Sequence, residues 1–368
     1  MHTFIKDTER LLKLSGYFGR RRAILTGRDT TALILLIEEF TEPGGRVILP
    51  ATCCATRLAS VLQAGRKPVI VDVGDNLTLD PDSLAAVAQE GDVVVAVHLF
   101  GIPFDVDRIK AICKDKGCKL IEDASQAIGG KIGDTPVGSV GDASILSFAD
   151  RKIMPTIGGG AIVTDNEELA ERLQAKVEEL PQRPDNYSDR KSMQLNAVRA
   201  LSLKARVEGP EYAREWYDVY QKYPDLYKFA INEDEAMKII DAIPNFEDTV
   251  QDRRELVYFF RKNIDGTLVD TLDYPIKCAP FRFTFVMPEH VTGEETEMLS
   301  QQLKKARLDV NNLYLPLNWL APDQVETKGC PHAEMVGPRV INLRIDDATT
   351  RANANLAGEL VNNFAKKS

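Results

Sequence analysis

Three short segments of the sequence carry side chains that could do chemistry. "SFADRK" places Ser147 and Lys152 directly after an apolar run, and "IEDASQA" places Asp123 at the end of another. "LTGRDTTAL" places the hydroxyls of Thr30 and Thr31 at the start of a predicted helix, whose free N–H groups can receive a phosphate. A lysine, an aspartate and a phosphate site together form a candidate catalytic centre.

These three elements are what pyridoxal phosphate (PLP) requires of a protein. A lysine amine forms a Schiff base with its aldehyde, and an aspartate keeps its pyridine nitrogen protonated, so that the ring can withdraw electrons from a substrate carbon. Each segment also has a plainer interpretation: Asp123 as a helix N-cap, Lys152 as a surface residue, and the glycines at 158–160 as a tight turn. His98 lies on an apolar run and is interpreted mainly as a core histidine. The order and context of the segments favour the cofactor more than any one of them does.

Short apolar runs that alternate with helical patterns are expected to position these residues. From Arg22 to Asn166 the chain contains strand-like runs, among them "KPVIVDV", "DVVVAVHLFG", "KLIEDA" and "ASILSF". One intervening helix, "DTTALILLIEEF", has Asp29 as its expected N-cap. Continuous apolar strands between helices predict an α/β fold with a mostly parallel sheet covered on both faces, in which ligands bind beyond the carboxyl ends of the strands.

At 368 residues the chain is long enough for about two domains. Residues 1–245 are predicted to form a large α/β domain and residues 246–368 a smaller C-terminal α/β domain. Residues 181–228 are polar and aromatic without a strand pattern, so we expect an excursion of loops and helices on the large domain there.

Composition and charge argue against several classes of partner. The net charge is −9, and the one basic run, "GRRR" at 19–22, is interpreted as a solvated turn, so no nucleic-acid partner is predicted. No apolar run approaches the ~20 residues needed to cross a bilayer, and the N-terminal stretch does not resemble a secretory signal. Six cysteines without CxxC spacing and four scattered histidines predict no metal site and a protein of the reducing cytoplasm.

A set of motifs in order along the chain resembles the DegT/DnrJ/EryC1/StrS family. They include "VILPATCCATRLASVLQAG", "VVAVHLFGIPFDVDRI", "KLIEDASQAIGG", "VGSVGDASILSF" and "RKIMPTIGGGAIVTDN". The resemblance is close from about Ile24 to Leu173 and weaker from there to the end. It implies PLP-dependent transferase fold type I and a homodimer with sites at the interface. It also implies an aminotransferase acting on nucleotide-linked keto sugars, as in polysaccharide or antibiotic biosynthesis.

The resemblance implies roles for individual residues. Lys152 would be the Schiff-base lysine, Asp123 the partner of the pyridine nitrogen, and Gln126 a neighbour of the ring's 3-oxygen. The hydroxyls that would bond the cofactor phosphate are those of Ser147, Thr30 and Thr31.

Four positions depart from the family's pattern. Asp29 stands where the family has a glycine beside the phosphate, and we expect its carboxylate to turn away and cap the helix. Cys54 replaces an aromatic residue that commonly lies against the PLP ring. In the segment that holds the phosphate from the neighbouring subunit, Lys228 replaces an asparagine and Ala230 an arginine, so Lys228 is a candidate partner-subunit phosphate contact.

The resulting hypothesis is a PLP-dependent aminotransferase that moves an amino group from an amino acid, expected to be glutamate, to a keto group of a nucleotide-linked sugar or related polyol. One alternative is a PLP-dependent sugar dehydratase, although that branch typically has histidine where this chain has Lys152. The other is a non-catalytic scaffold or regulator, an alternative that Asp29, Cys54 and Ala230 keep open.

Overall fold

The computed structural model describes residues 8–154, 156, 158–243, 246–311 and 314–368. Its strands are β1 (Arg22–Thr26), β2 (Arg46–Pro50), β3 (Lys67–Val71), β4 (Val93–Val97), β5 (Lys119–Asp123), β6 (Lys131–Ile132), β7 (Thr135–Pro136), β8 (Ala143–Ser147), β9 (Gly160–Thr164), β10 (Asp270–Thr271), β11 (Arg282–Val286), β12 (Val310–Asn311), β13 (Glu326–Thr327) and β14 (Val340–Arg344). Its α-helices are α1 (Thr8–Tyr17), α2 (Asp29–Phe40), α3 (Thr56–Gln63), α4 (Pro81–Val87), α5 (Val106–Lys116), α6 (Glu167–Glu178), α7 (Tyr187–Glu208), α8 (Trp216–Gln221), α9 (Glu233–Ala242), α10 (Phe246–Asn263), α11 (Gly293–Lys305), α12 (Leu317–Leu320), α13 (Pro331–Val336) and α14 (Arg351–Ala365).

The larger sheet has the strand order β1-β9-β8-β5-β4-β2-β3-β13. Strands β3, β2, β4, β5 and β8 run parallel to one another, whereas β9 is antiparallel to both β8 and β1. Strands β4, β8 and β9 are buried along their whole length, which explains why β4 is a continuous apolar run and why β8 and β9 contain no charged side chain. The predicted α/β fold with a mostly parallel sheet is confirmed.

The carboxyl edge of this sheet gathers the residues that the sequence pointed to. Strand β5 ends at Asp123 and β8 ends at Ser147, and the two strands are hydrogen-bonded neighbours. Strand β2 ends at Pro50, four residues before Cys54. Because parallel strands end at the same edge of the sheet, these side chains come together there although they are far apart along the chain.

The glycines at 158–160 are required by packing. A Cβ on Gly160 would overlap backbone atoms of Arg28 and Asp29, so only glycine lets β9 lie against the start of α2. Gly159 has φ +96°, and a Cβ there would press on the side chain of Ile239. The three glycines therefore do more than make the tight turn considered from sequence.

The C-terminal part forms a second, antiparallel sheet in the order β10-β11-β14-β12. The same part of the chain also returns β13 to the edge of the larger sheet, parallel to β3. The predicted boundary at 245/246 touches residues 244 and 245, which lie outside the described residues, so the division into two domains stays a prediction.

Residues 181–228 are helical and contain no strand, as expected, and all of them are described. Helix α7 is the longest element of this segment, and its last turn reaches the C-terminal sheet. There Arg206 Nη1 donates to the carbonyl oxygens of Pro338 (3.0 Å) and Val340 (3.2 Å).

Three observations concern the surface and the cysteines. The interpretation of "GRRR" as a solvated turn is wrong for Arg20, which is buried and donates to the carbonyl oxygens of Gly138 (2.9 Å) and Gly141 (2.7 Å). Within the described ranges, every helix is too short or too polar to cross a membrane. All six cysteines are free thiols.

Candidate active site

Lys152 lies in a charged cluster at the carboxyl edge of the larger sheet. The side chain is partly buried, and its Nζ lies 5.2 Å from the centre of the Phe281 ring. Burial lowers the pKa of the Lys152 amine; Arg57 acts in the same direction, while Asp29, Cys54 and Asp123 oppose both. An amine in this setting does not fit the interpretation of Lys152 as an ordinary surface residue.

Asp123 is buried at the end of β5, with 1 % of its surface exposed. Its Oδ1 accepts a hydrogen bond from Ser125 N at 2.9 Å, within a turn and not at the start of a helix. The N-cap interpretation of Asp123 is therefore wrong. Its Oδ2 faces the interior of the cluster, where it accepts a hydrogen bond from Arg57 Nε.

Arg57 is the residue of this cluster that the sequence reasoning missed. It lies on α3 and is 2 % exposed; while Nε binds Asp123, Nη2 donates to Asp29 Oδ2 at 3.0 Å. Burial alone would lower the pKa of Arg57, but the two carboxylates raise it well above its usual range. Two features could have pointed to Arg57. It falls on the buried face of α3 together with Val61, and Asp29, which stands in place of a glycine, needs a cation nearby.

The expected N-cap role of Asp29 is also wrong. Helix α2 begins at Asp29 itself, after Arg28 as the N-cap residue, and Asp29 Oδ1 accepts from the neighbouring Thr30 N at 3.0 Å. Burial alone would raise the pKa of Asp29, but Arg57, Lys152 and Arg28 together lower it. The carboxylate points toward Arg57 because leaving a buried charge unpaired costs more free energy than leaving the start of the helix without a side-chain cap.

The hydroxyls predicted to hold a phosphate from the start of α2 are engaged elsewhere. Thr30 Oγ1 and Thr31 Oγ1 both donate to the carbonyl oxygen of Tyr227 at 3.0 Å. Lys228 pairs with Glu38 of the same helix, with Nζ 2.6 Å from Oε1. These three side chains hold the segment around residue 228 against α2. Because their polar groups already bind within the chain, the arrangement does not support the phosphate contacts predicted for them.

Ser147 remains a suitable phosphate ligand. Its Oγ is buried and has no hydrogen-bond partner among the described residues, and the same is true of Ser125 Oγ and Thr52 Oγ1. All three follow or end strands at the carboxyl edge. Because a buried hydroxyl without a partner is destabilising by about 1–3 kcal/mol, three of them at one edge indicate a place for a polar ligand. The sequence pointed to Ser147 and missed the other two.

Gln126 and Cys54 border the cluster. Gln126 Oε1 accepts from Phe100 N at 3.0 Å, and its Nε2 lies 3.4 Å from the Tyr314 hydroxyl. Cys54 is partly exposed, and its Sγ accepts from Thr56 Oγ1 at 3.1 Å. The contacts of both residues with a ring stay predictions.

His98 has the structural setting expected from its apolar strand. It is fully buried, its Nε2 lies 2.9 Å from Glu122 Oε1, and its ring stacks on Phe104 with centroids 4.4 Å apart.

The described residues fit PLP at three points: the partly buried Lys152 amine, the Asp123 carboxylate and the unpartnered Ser147 hydroxyl. Arg57 Nε already donates to Asp123 Oδ2, so a protonated ring nitrogen would share the Asp123 carboxylate with Arg57. Asp29 adds a negative charge at the helix start, and Arg57 neutralises part of it. The site is thus compatible with the cofactor, with Asp123 shared between Arg57 and the ring nitrogen.

Comparison with known proteins gives one family and one fold. The family model described as DegT/DnrJ/EryC1/StrS aminotransferase family matches residues 9–361. The chain is 35% identical over 163 residues to a "Pleiotropic regulatory protein" of Geobacillus stearothermophilus, covering 43% of this chain and 44% of that protein. It is 34% identical over 166 residues to a UDP-N-acetyl-3-dehydro-alpha-D-glucosamine 3-aminotransferase of Acidithiobacillus ferrooxidans, covering 44% of this chain and 45% of that protein.

Each of these matches spans less than half the length of the relative. Among solved structures, a putative sugar aminotransferase, Spr1654 from Streptococcus pneumoniae in its PMP form, superposes with a TM-score of 0.80 at 20% identity. That match covers 100% of this chain and 93% of the other. The likeness shows the fold and confirms the predicted transferase architecture.

Proposed function

Because the chain belongs to the DegT/DnrJ/EryC1/StrS aminotransferase family, we propose that it is a PLP-dependent aminotransferase acting on a keto sugar or related polyol. The observation that carries the proposal is the position of Lys152 at the carboxyl edge of the sheet, near enough to buried Asp29 and Asp123 for both carboxylates to act on the charge of its amine. The Acidithiobacillus relative, named for amination of a nucleotide-linked sugar, supports the class of acceptor.

When bound, PLP supplies an aldehyde that exchanges amines and a ring that accepts electrons from the substrate carbon. Lys152 would then carry the proton between the donor's α-carbon and C4′ of the cofactor. Its lowered pKa keeps a larger fraction of the amine neutral near pH 7, as a general base needs. Asp123 would hold the proton at the ring nitrogen while sharing its carboxylate with Arg57, which donates to Oδ2.

Lys152 can be tested directly by borohydride reduction of PLP-supplemented protein followed by peptide mapping. Lys191 of α7 is the matched comparator, because it is also partly buried and its pKa is lowered to about 8, by burial first and then by Arg28. We expect the cofactor label on Lys152 and none on Lys191. Label on Lys191, or on neither lysine together with no absorbance of bound cofactor, would contradict the proposal.

A non-catalytic scaffold or regulator is the second candidate. It is favoured by one observation, the Asp29–Arg57–Asp123 chain of ion pairs, which satisfies both carboxylates without any cofactor. The relative named as a pleiotropic regulatory protein fits the same candidate. The borohydride experiment separates the two, since a scaffold that binds no cofactor leaves Lys152 unmodified.

The donor and the assembly belong to the same proposal. We expect glutamate as the amino donor, measured as 2-oxoglutarate formed with a panel of keto-sugar nucleotides and keto polyols. We also expect a homodimer, measured by sedimentation velocity, and a reducing compartment such as the cytoplasm, which the six free thiols support. Product that has lost a hydroxyl without gaining nitrogen would instead indicate a dehydratase.

A further inference from the structure

Three cationic side chains surround the ring of Tyr187, the first residue of α7. The distances to the centre of this ring are 5.8 Å from Arg28 Cζ, 5.2 Å from Arg183 Cζ and 5.5 Å from Lys191 Nζ. The face of an aromatic ring attracts a cation but carries no net charge, so it cannot balance three of them. Because like charges around one ring also repel one another, this cluster requires anions nearby.

The three carboxylates that act on the charges of this cluster each have a guanidinium of their own. The pairs are Asp29 with Arg57 at 3.0 Å, Asp150 with Arg151 at 3.8 Å, and Glu235 with Arg183. Among the residues that the structure describes, Arg28 and Lys191 form no ion pair with a carboxylate, and Arg28 Nη1 donates to the carbonyl oxygen of Leu226 at 2.6 Å. Two positive charges of the cluster are therefore left without a carboxylate partner.

The pKa of Lys191 reflects this unbalanced charge. Burial first and Arg28 next lower it to about 8, and Arg183 acts in the same direction, whereas Asp29 and Asp150 oppose them. An anion bound beside the amine would raise the pKa again, because an opposite charge favours the protonated form. The chain by itself thus leaves this cluster short of negative charge.

The cluster borders the start of α2, next to the unpartnered hydroxyl of Ser147. Ser147 lies opposite Gly160 in the β8–β9 pair, and a Cβ on Gly160 would overlap the backbone of Arg28 and Asp29. Ser147 is 1 % exposed, and its Oγ has no hydrogen-bond partner in the described part of the chain. A helix start beside a free buried hydroxyl is suited to a phosphate. Arg28, the N-cap residue of α2, adds a guanidinium at the same place.

We propose that Arg28 and Lys191 hold the phosphate of the cofactor from within the same chain, together with the Ser147 hydroxyl. The inference rests on the proposed function for the identity of the cofactor. A phosphate carries up to two negative charges, which match the two unpaired cations, and it offers enough acceptor oxygens for all three side chains at once. Lys228, the phosphate contact predicted from the sequence, is bound to Glu38 instead. The segment 181–228 thereby gains a role, since α7 brings Lys191 to the start of α2.

The test is calorimetric titration of the full chain, freed of cofactor, with PLP, with pyridoxine 5′-phosphate and with pyridoxal, which has no phosphate. Arg28→Gln and Lys191→Gln should each weaken binding of the two phosphate-bearing ligands at least about tenfold, because each removes a charge-assisted hydrogen bond. Binding of pyridoxal should change by less than about twofold, since the change lies outside the ring contacts. The matched control is Arg190→Gln, the neighbour of Lys191 on α7, whose arginine pairs with Asp225 at 2.5 Å. That control and Lys228→Gln should both stay within about twofold of the wild type.

The outcomes separate this inference from the proposed function. Pyridoxine 5′-phosphate has no aldehyde, so it measures the phosphate contact without a Schiff base. Losses confined to the phosphate-bearing ligands in the Arg28 and Lys191 variants support the inference even if Lys152 takes no cofactor label. A labelled Lys152 together with unchanged affinities in both variants overturns the inference and leaves the proposed function standing. Equal losses for pyridoxal, a loss of the same size in Lys228→Gln or Arg190→Gln, or no binding of either phosphate-bearing ligand would overturn it as well.

Discussion

Replacing Arg57 by leucine tests whether its guanidinium neutralises the two buried carboxylates of the candidate site. Leucine occupies part of the same volume without charge and removes the guanidinium that pairs with both Asp29 and Asp123. Removing one partner of a buried ion pair costs about 3–5 kcal/mol. Each carboxylate keeps a backbone donor, Thr30 N for Asp29 and Ser125 N for Asp123. We therefore expect the free energy of unfolding near pH 7 to fall by about 3–5 kcal/mol and not more.

The same change should alter the dependence of stability on pH. In the wild type the pKa of Asp29 is lowered, so its stabilising contribution is present above its ordinary pKa of about 3.9 and is lost as the pH falls below that value. Without Arg57, the burial that raises the pKa of Asp29 is no longer opposed by its strongest cation, so the penalty for the charged carboxylate is largest near neutrality and shrinks as the carboxylate is protonated. The difference in stability between the two proteins should therefore shrink between about pH 7 and pH 4.

Urea denaturation followed by circular dichroism measures both effects. Arg172→Leu is the control, because its side chain is 54% exposed and its ion pair with Glu39 should be worth only about 0–1 kcal/mol. Asp29→Asn combined with Arg57→Leu leaves one uncompensated carboxylate in place of two and should recover part of the loss. An Arg57→Leu protein within about 1 kcal/mol of the wild type near pH 7, or a difference that does not change with pH, would refute the reasoning.

Cofactor should then stabilise the Arg57→Leu protein more than the wild type, because Asp123 no longer shares its carboxylate with Arg57. A ligand at a hundred times its Kd stabilises the folded state by about 2.7 kcal/mol. Equal gains in the two proteins at the same PLP concentration would show that Arg57 does not compete for Asp123.

Other substitutions test separate parts of the structure. Ser147→Ala removes an unpartnered buried hydroxyl, so the free energy of unfolding without cofactor should change by less than about 1 kcal/mol, while PLP affinity in a fluorescence titration falls about tenfold. Burial alone would raise the pKa of Glu122, but the His98 hydrogen bond and backbone donors lower it to about 2. The contribution of Glu122 is thus lost as the pH falls from about 4.3 to 2, and Glu122→Gln should flatten acid unfolding in that window. Gly160→Ala, whose Cβ would overlap backbone at the start of α2, should cost about 1–3 kcal/mol in urea. Gly266→Ala, with open space around it, should cost less, and equal costs would contradict the packing argument.

The amino-acid sequence by itself determined the sheet and the edge at which a ligand would bind. Strand β4 is apolar at every position because both faces of a parallel sheet are covered, and that pattern is visible without coordinates. The positions of Asp123 and Ser147 at strand ends follow from the same local pattern. Lys152 follows from the motif that contains it. These features depend on residues close together along the chain.

Only the tertiary structure decided how the charges and hydroxyls of the site are paired. Arg57 meets Asp123 across 66 residues and Asp29 across 28, and Thr30 meets the Tyr227 carbonyl across 197. The ion pairs of Asp309 with Arg151, Arg282 and Arg344 likewise join residues that are far apart along the chain. A side chain's partner depends on which elements pack together and on how deeply each charge is buried. The free energy of a buried charge is set by neighbours in space, and a linear pattern does not contain them.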